Sequence, residues 1–390
     1  MVGTQNLERM TRVAKPSARR HAALILGFCY LLLASSSFAQ TLGLRPNPYV
    51  IDDCGTILGI CCPGPLVWGF DPYGGCEDCS QCMENVCRAG FIAHRPSTWY
   101  GSIDAIALTP NSSDQIELAR IGPAGDTVLS TADLRSEYDV GGRFTVGRTF
   151  GGCFQAEIVY LGNYAWSDTQ VAASAAGELS SVLSGFADPV DPALDQNSLA
   201  TVSIASRMST AEANLRTWLE MPPGPLDIQL LVGARYFAAS DRLQYVTVGA
   251  NTNDVTVRTD NDLYGVQIGT NAKYLMHRLF FVDFEGKVAL CENFATQNTS
   301  FSQNGGAEIT TSNSPQRTAL LGDLMLTGTF QLRPNLALRV GYQALFVGGL
   351  ALGSQNLPTN SYLLTNGIGQ FRDNGNMVYH GPTIGIVGAW

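Results

Sequence analysis

Residues 335–349 read "NLALRVGYQALFVGG". Leu336, Leu338, Val340, Tyr342, Ala344 and Phe346 fall on one side of a period of two, and Arg339, Gly341 and Gln343 on the other. Alternation over this length describes an extended strand with one apolar face, because a helix would space its apolar residues three and four apart. The run exceeds the usual strand of about 5–6 residues. It matches the roughly 9–11 residues a tilted strand needs to cross the hydrocarbon core of a membrane.

The same scheme recurs in "CFQAEIVYLGNYAW" (153–166), "LDIQLLVGARYF" (226–237), "DLYGVQIGTNAKYLM" (262–276), "RLFFVDFEGKVALC" (278–291) and "TALLGDLMLTGTFQL" (318–332). Ten strands are expected, at 97–109, 136–149, 153–166, 207–220, 225–238, 262–276, 278–291, 318–332, 335–348 and 378–390. "RLQYVTV" (242–248) and "DVTVRT" (254–259) would make twelve if they formed a further hairpin. The connectors alternate in length. Long ones fall at 110–135, 167–206, 239–261, 292–317 and 349–377, and short ones at 151–152, 221–225, His277 and 333–335. Short turns at one end and long loops at the other are the signature of a transmembrane barrel, with the long loops outside the cell. A soluble β-sandwich is the competing reading and does not require that order. The expected fold is therefore all-β: an antiparallel up-and-down transmembrane barrel over 95–390, behind a small Cys-rich module.

Composition agrees. The 390 residues are 45% hydrophobic but only 15% charged, against roughly 25% charged in an ordinary soluble domain. The start has the layout of a signal peptide over 1–39. Arg9, Arg12, Lys15, Arg19 and Arg20 precede the apolar core "AALILGFCYLLLA", and Ser37 and Ala39 offer a cleavage site. That core is shorter than the roughly 20 residues a membrane-spanning helix needs. Cleavage would leave 19 basic against 32 acidic residues, a net charge of −13. Such a balance argues against nucleic acid or anionic lipid as a partner.

Seven cysteines crowd residues 40–94: Cys54, Cys61, Cys62, Cys76, Cys79, Cys82 and Cys87. In an oxidising envelope they read first as a disulfide-stapled module. Two C-x2-C steps also allow a zinc site. The spacing at Cys76, Cys79, Cys82 and Cys87 departs by one residue from an iron–sulfur run and lacks its following proline. No cofactor and no metal is expected.

With the polar faces turned inward, the candidate lumen residues are Arg143, Arg216, Arg235, Lys273, Lys287 and Arg339 against Asp139, Glu157, Glu212, Asp283, Glu285 and Asp323. Six face six. An eight-stranded barrel is just filled by side chains, so ten strands lie near the filled end. Unpaired charges there would be costly. Pairing across the lumen and a narrow path for ions or small solutes are both compatible with the pattern. Trp390, on a face with Ile384, Ile386 and Gly388, is placed at the membrane interface. It resembles the terminal aromatic read by the barrel assembly machinery. Trp99, Tyr100, Tyr164, Trp166, Trp218, Tyr274, Phe280 and Phe330 are candidates for aromatic girdles. His94, His277 and His380 show no Ser-His-acid pattern, so no enzyme is expected. The long polar loops suit surface display or adhesion.

"WYGSIDAIAL" (99–108), "AEANL" (211–215), "LLVGARYF" (230–237), "LYGVQIGTNAKY" (263–274), "LALRVGYQALFVGGLAL" (336–352) and "VYHGPTIGIVGAW" (378–390) resemble the planctomycete beta-barrel porin-7 family. The resemblance covers about 95–390 and leaves the Cys-rich module outside. It implies a porin by architecture, in the outer membrane, with no particular substrate. The expected function is a porin-like channel for ions or small solutes with long polar surface loops. A sealed structural or adhesin-like barrel is the alternative. Outer-membrane lipid and the assembly machinery are the expected partners.

Overall fold

The computed structural model describes residues 99–390 apart from 113–114, 151–153, 220–224, 362–363 and 365–370. The expected signal peptide (1–39) and the Cys-rich module with its seven cysteines lie outside the described residues.

Fourteen strands are described: β1 Trp99–Ser112, β2 Glu117–Ile121, β3 Thr127–Ser130, β4 Asp139–Phe150, β5 Phe154–Ala173, β6 Leu179–Ser181, β7 Leu199–Trp218, β8 Leu226–Val248, β9 Thr252–His277, β10 Phe280–Gln303, β11 Ile309–Asn313, β12 Gln316–Arg333, β13 Leu336–Leu350 and β14 Gly375–Ala389. Ten of them close an antiparallel barrel in the order β1-β4-β5-β7-β8-β9-β10-β12-β13-β14, with β14 pairing back onto β1. Closure leaves no unpaired edge, which a bilayer without hydrogen-bonding water demands. The seam is extended past β14 by Trp99 and Trp390, which exchange backbone hydrogen bonds at 3.0 and 3.2 Å.

The strand count is ten, not twelve. "RLQYVTV" and "DVTVRT" are the upper ends of β8 and β9, paired without a break from Val248↔Thr252 to Leu226↔Tyr274. Alternation simply continues past the membrane, and the connector expected at 239–261 shrinks to a tight turn at 249–251. β8, β9 and β10 are 23, 26 and 24 residues long against 15 for β13 and β14. One wall of the barrel therefore stands well above the other.

The outer face is the apolar one. Val266 and Ile268 are each 68% exposed, and Leu324, Leu326, Val340, Ile384 and Ile386 are similarly bare. A patch of this extent on a soluble protein would drive association; around a closed barrel it is the lipid surface. On β10 it runs from Phe280 to Leu290, about 33 Å along the strand. At a tilt of about 40° this spans roughly 25 Å of bilayer. Trp99, Tyr274, Phe280, Phe330 and Trp390 lie outward at the short-turn end. There Arg148 is held over the Trp99 and Phe150 rings. At the other edge Tyr236, Tyr264 and Phe294 touch across three strands, and the Tyr236 hydroxyl donates to Asp262 at 2.6 Å. An aromatic body with a polar tip is suited to that boundary.

Four of the aromatics expected in the girdles face inward instead. Tyr100 and Trp218 share parity with the buried polar residues of β1 and β7. Tyr164 and Trp166 are turned inward by a bulge: the β5–β7 register slips between Leu161 and Tyr164, and Asn163 adopts φ 71°. One extra residue flips every later side chain to the opposite face.

Above the membrane the long loops fold back. β2, β3 and β6 form a small sheet whose Leu118, Leu129 and Leu179, with Leu183 and Leu194, pack against inward-facing Val202, Leu243, Tyr245, Val255 and Val257 of the tall wall. Tyr245 donates to the Leu118 carbonyl at 2.8 Å. The segment 168–198, expected as a polar display loop, is thus largely a cap. Its few leucines find apolar partners that are remote in sequence. The second such segment, 293–316, mostly extends β10 and supplies β11.

Candidate functional site: the filled barrel interior

Eleven of the twelve predicted lumen residues form ion pairs inside the barrel, and they do so in layers. At the centre, Arg143, Arg216, Arg235 and Lys287 meet Glu157, Glu212, Glu285 and Asp323. Arg216 bridges Glu157 at 2.7 Å and Glu285 at 2.6 Å. Lys287 lies 3.0 Å from Glu212, 3.1 Å from Glu285 and 3.5 Å from Asp323. Arg235 reaches Asp323 at 3.2 Å and Glu212 at 3.5 Å, and Arg143 closes on Glu285 at 3.4 Å. Four cations against four anions leave the layer neutral. A buried charge layer is tolerable only in that condition.

Neutral side chains donate further hydrogen bonds to these carboxylates. The Tyr100 hydroxyl donates to Glu157 at 3.0 Å, Asn214 to Glu157 and Glu212 at 3.1 Å each, Gln267 to Glu212 at 2.9 Å and Gln343 to Asp323 at 2.9 Å. These relays were not anticipated. Nor was Asp104, which takes a bidentate fork from Arg339, Nε and Nη2 each at 2.6 Å. Its parity with Ser102 on β1 was the signal that placed it inside. Lys273 and Asp283 pair separately at 3.6 Å nearer the short-turn end, with Lys273 over the Phe281 ring. Asp139 has another task. It accepts from the backbone N–H groups of Ala165, at 2.7 Å, and Val140, at 3.0 Å, and so supports the β5 bulge.

Inward glycines make room for these side chains. A Cβ on Gly385 would collide with the Asp104 carboxylate, and one on Gly269 would press on the Lys287 stem. Small residues beside large ones let a narrow barrel fill its own interior.

A second, dry layer lies above the charges. Ile106, Leu108, Leu161, Tyr164, Trp166, Met208, Phe237, Leu263, Leu321, Leu345 and Tyr379 pack together across the lumen, none more than 4% exposed. Tyr164 and Trp166 stack at 5.3 Å and donate to the Ile106 and Leu108 carbonyls at 3.1 and 3.0 Å. The polar atoms of these two rings are therefore spent on backbone. Cys291 is buried in the same layer as a free thiol. Asn261 and Asn293 then tie the descending loop at Gly349–Ala351 to the wall.

The described histidines stand elsewhere. His380 is on the outer face, its Nδ1 at 2.7 Å from the Tyr342 hydroxyl, and His277 is the last residue of β9; His94 lies outside the described residues.

A closed ten-stranded barrel with an apolar outer band and aromatic borders is an outer-membrane type of barrel. This chain is a transmembrane β-barrel of the outer-membrane class. No family model matches it, and no curated protein matches it. Among solved structures it is similar to the outer membrane protease OmpT of Escherichia coli, at 11% identity over 76% of this chain and 97% of that one, with a TM-score of 0.47. It is also similar to the translocator domain of the autotransporter NalP of Neisseria meningitidis, at 9% identity over 77% and 91%, TM-score 0.33. A FadL homologue of Pseudomonas aeruginosa matches at 7% over 77% and 91%, TM-score 0.24. Likenesses this distant say nothing of activity.

Proposed function

We infer that this barrel is a sealed outer-membrane anchor that carries a folded, recognition-competent surface outside the cell, without catalysis, in preference to an open porin. The observation that carries the reading is the double closure of the lumen. An ion would have to displace a neutral network whose members sit 2.6 to 3.5 Å apart and then cross a layer of closely packed, mostly apolar side chains. Stripping an ion's hydration costs far more than thermal energy. Open aqueous channels belong to barrels of about 16–18 strands. Within the same proposal, the chain is a relative of the planctomycete porin-7 barrels, delivered by its signal peptide, with Trp390 presented to the assembly machinery.

Reconstitution into dye-loaded liposomes tests the inference. The sealed reading expects retention of small fluorescent ions equal to that of empty vesicles, and release that scales with protein content would favour the channel.

A further inference from the structure

The tall wall of the barrel has an outward face above the lipid band, and that face holds a groove of about 590 Å³ lined by polar residues and glycines of β8, β9, β10 and the turn before β11. Two of its residues are arginines set directly opposite each other, Arg242 on β8 and Arg258 on β9. Like charges facing across antiparallel strands destabilise a sheet. Neither guanidinium takes part in an ion pair or hydrogen bond among the described residues. The nearby acids offset the conflict only in part. Asp260, two residues along the same strand, feels the charge of Arg258, Asp254 is occupied by the Gln244 amide at 2.9 and 3.0 Å, and Glu308 stands at the groove's edge. Asn298 lies across from Arg258 on β10 and extends the row with an amide. Hydroxyls of Thr256, Ser300 and Thr310 form the next row, paired across the three strands.

We propose that this groove binds an anionic saccharide, a sugar bearing phosphate or carboxylate, with the charge held between Arg242 and Arg258 and the sugar hydroxyls on the amide and hydroxyl rows. Two guanidiniums carried side by side on adjacent strands suit the recognition of phosphate and carboxylate. The carboxylates in the lining select against a dense polyanion and for a sugar with one or few charges. The chain as a whole is acidic, so the arginine pair is a local exception, and an anion's approach is governed by that local field. Position identifies the source to examine first. Arg258 lies six residues above Tyr264 of the outer aromatic border, about 20 Å along the strand and roughly 15 Å above the hydrocarbon. That is the level of the sugar chain of a glycolipid in the same leaflet. The proposal rests on the preceding reading only for which end faces outward. A barrel that conducted ions would overturn that reading and leave this one standing.

The test is calorimetric titration of the full chain, folded in detergent, with the phosphorylated core oligosaccharide released from lipopolysaccharide by deacylation. Binding is expected. Arg242→Ala and Arg258→Ala should each weaken it about ten- to a hundredfold, the loss of a charge-assisted contact. Arg278→Ala, which removes an equal charge at the opposite end, should leave it unchanged. Phosphatase treatment of the oligosaccharide should match the arginine variants. Parallel titrations with glycolipid vesicles and with soluble oligogalacturonate decide between a leaflet and a free source, and arginine-dependent binding in either supports the site. Absence of binding to all three probes, or binding that survives in the double arginine variant, overturns it. Both arginines point away from the barrel interior, so unchanged heat-modifiable gel migration would show that the variants are folded.

Discussion

Lys287→Met removes one cation from the middle of the interior network while nearly preserving side-chain volume, so its cost is electrostatic. Lys287 is the hub for Glu212, Glu285 and Asp323, all within 3.5 Å. Each of those carboxylates keeps a second partner: Arg235 at 3.5 Å for Glu212, Arg216 at 2.6 Å for Glu285, and Arg235 at 3.2 Å for Asp323. No anion is left bare, but four anions then face three cations. Breaking a buried pair from one side costs roughly 3–5 kcal/mol, and the surviving partners place this variant near the lower figure, about 3 kcal/mol. Lys287→Met combined with Glu212→Gln restores three against three. It should recover about 1–2 kcal/mol of that loss, a coupling expected of residues in direct contact. Guanidinium unfolding of the barrel in lipid vesicles, followed by tryptophan fluorescence and by the boiled-to-unboiled gel shift, measures both quantities. A single variant within about 0.5 kcal/mol of the parent would refute the reasoning. So would a double variant less stable than the single one, since the neutrality of the layer would then have no energetic consequence.

Phe237→Ala opens a cavity in the dry layer, where Phe237 is fully buried, and should cost about 3–5 kcal/mol in the same unfolding assay. Ile268→Arg puts a charge near the middle of the lipid band, where Ile268 is 68% exposed. It should cost about 2–4 kcal/mol in vesicles, whereas a soluble protein would accept it at an exposed site. Cys291 should resist alkylation in the folded barrel and react on denaturation, read by peptide mass spectrometry at that residue. Early labelling of Cys291 would mean that water reaches the dry layer.

Much of this architecture was legible in the sequence because a membrane barrel imposes one rule on every strand: apolar outward, everything else inward. That rule alone set Arg143, Glu157, Glu212, Arg216, Arg235, Glu285, Lys287 and Asp323 on the lumen side, and their balance pointed to pairing. It failed where the rule itself is interrupted. Alternation carried through Asn163 assigns Tyr164 and Trp166 to the lipid face, and only the left-handed backbone at that residue reverses them. It also lost force above the membrane, where water replaces lipid outside and strand, turn and loop are all polar. There β8, β9 and β10 continue through residues that read as loop. The cap over the tall wall was hidden because Leu118, Leu179 and Leu183 acquire their partners from Val202, Leu243 and Val255. None of those pairings leaves a local periodicity. Asp104 was legible by parity and was still missed, since a single acid in an apolar run carries little pattern of its own.

Whether the lumen is closed is tested most directly by electrical recording. Purified, refolded barrel inserted into a planar bilayer should give no stable conductance steps at any holding potential that the bare bilayer withstands, because charge layer and apolar layer both block the path. Insertion is scored independently by protease protection of the membrane-embedded strands. Discrete, reproducible conductance from protected barrels would contradict the account, and the network of Arg216, Glu285 and Lys287 would then have to be read as the lining of a pore.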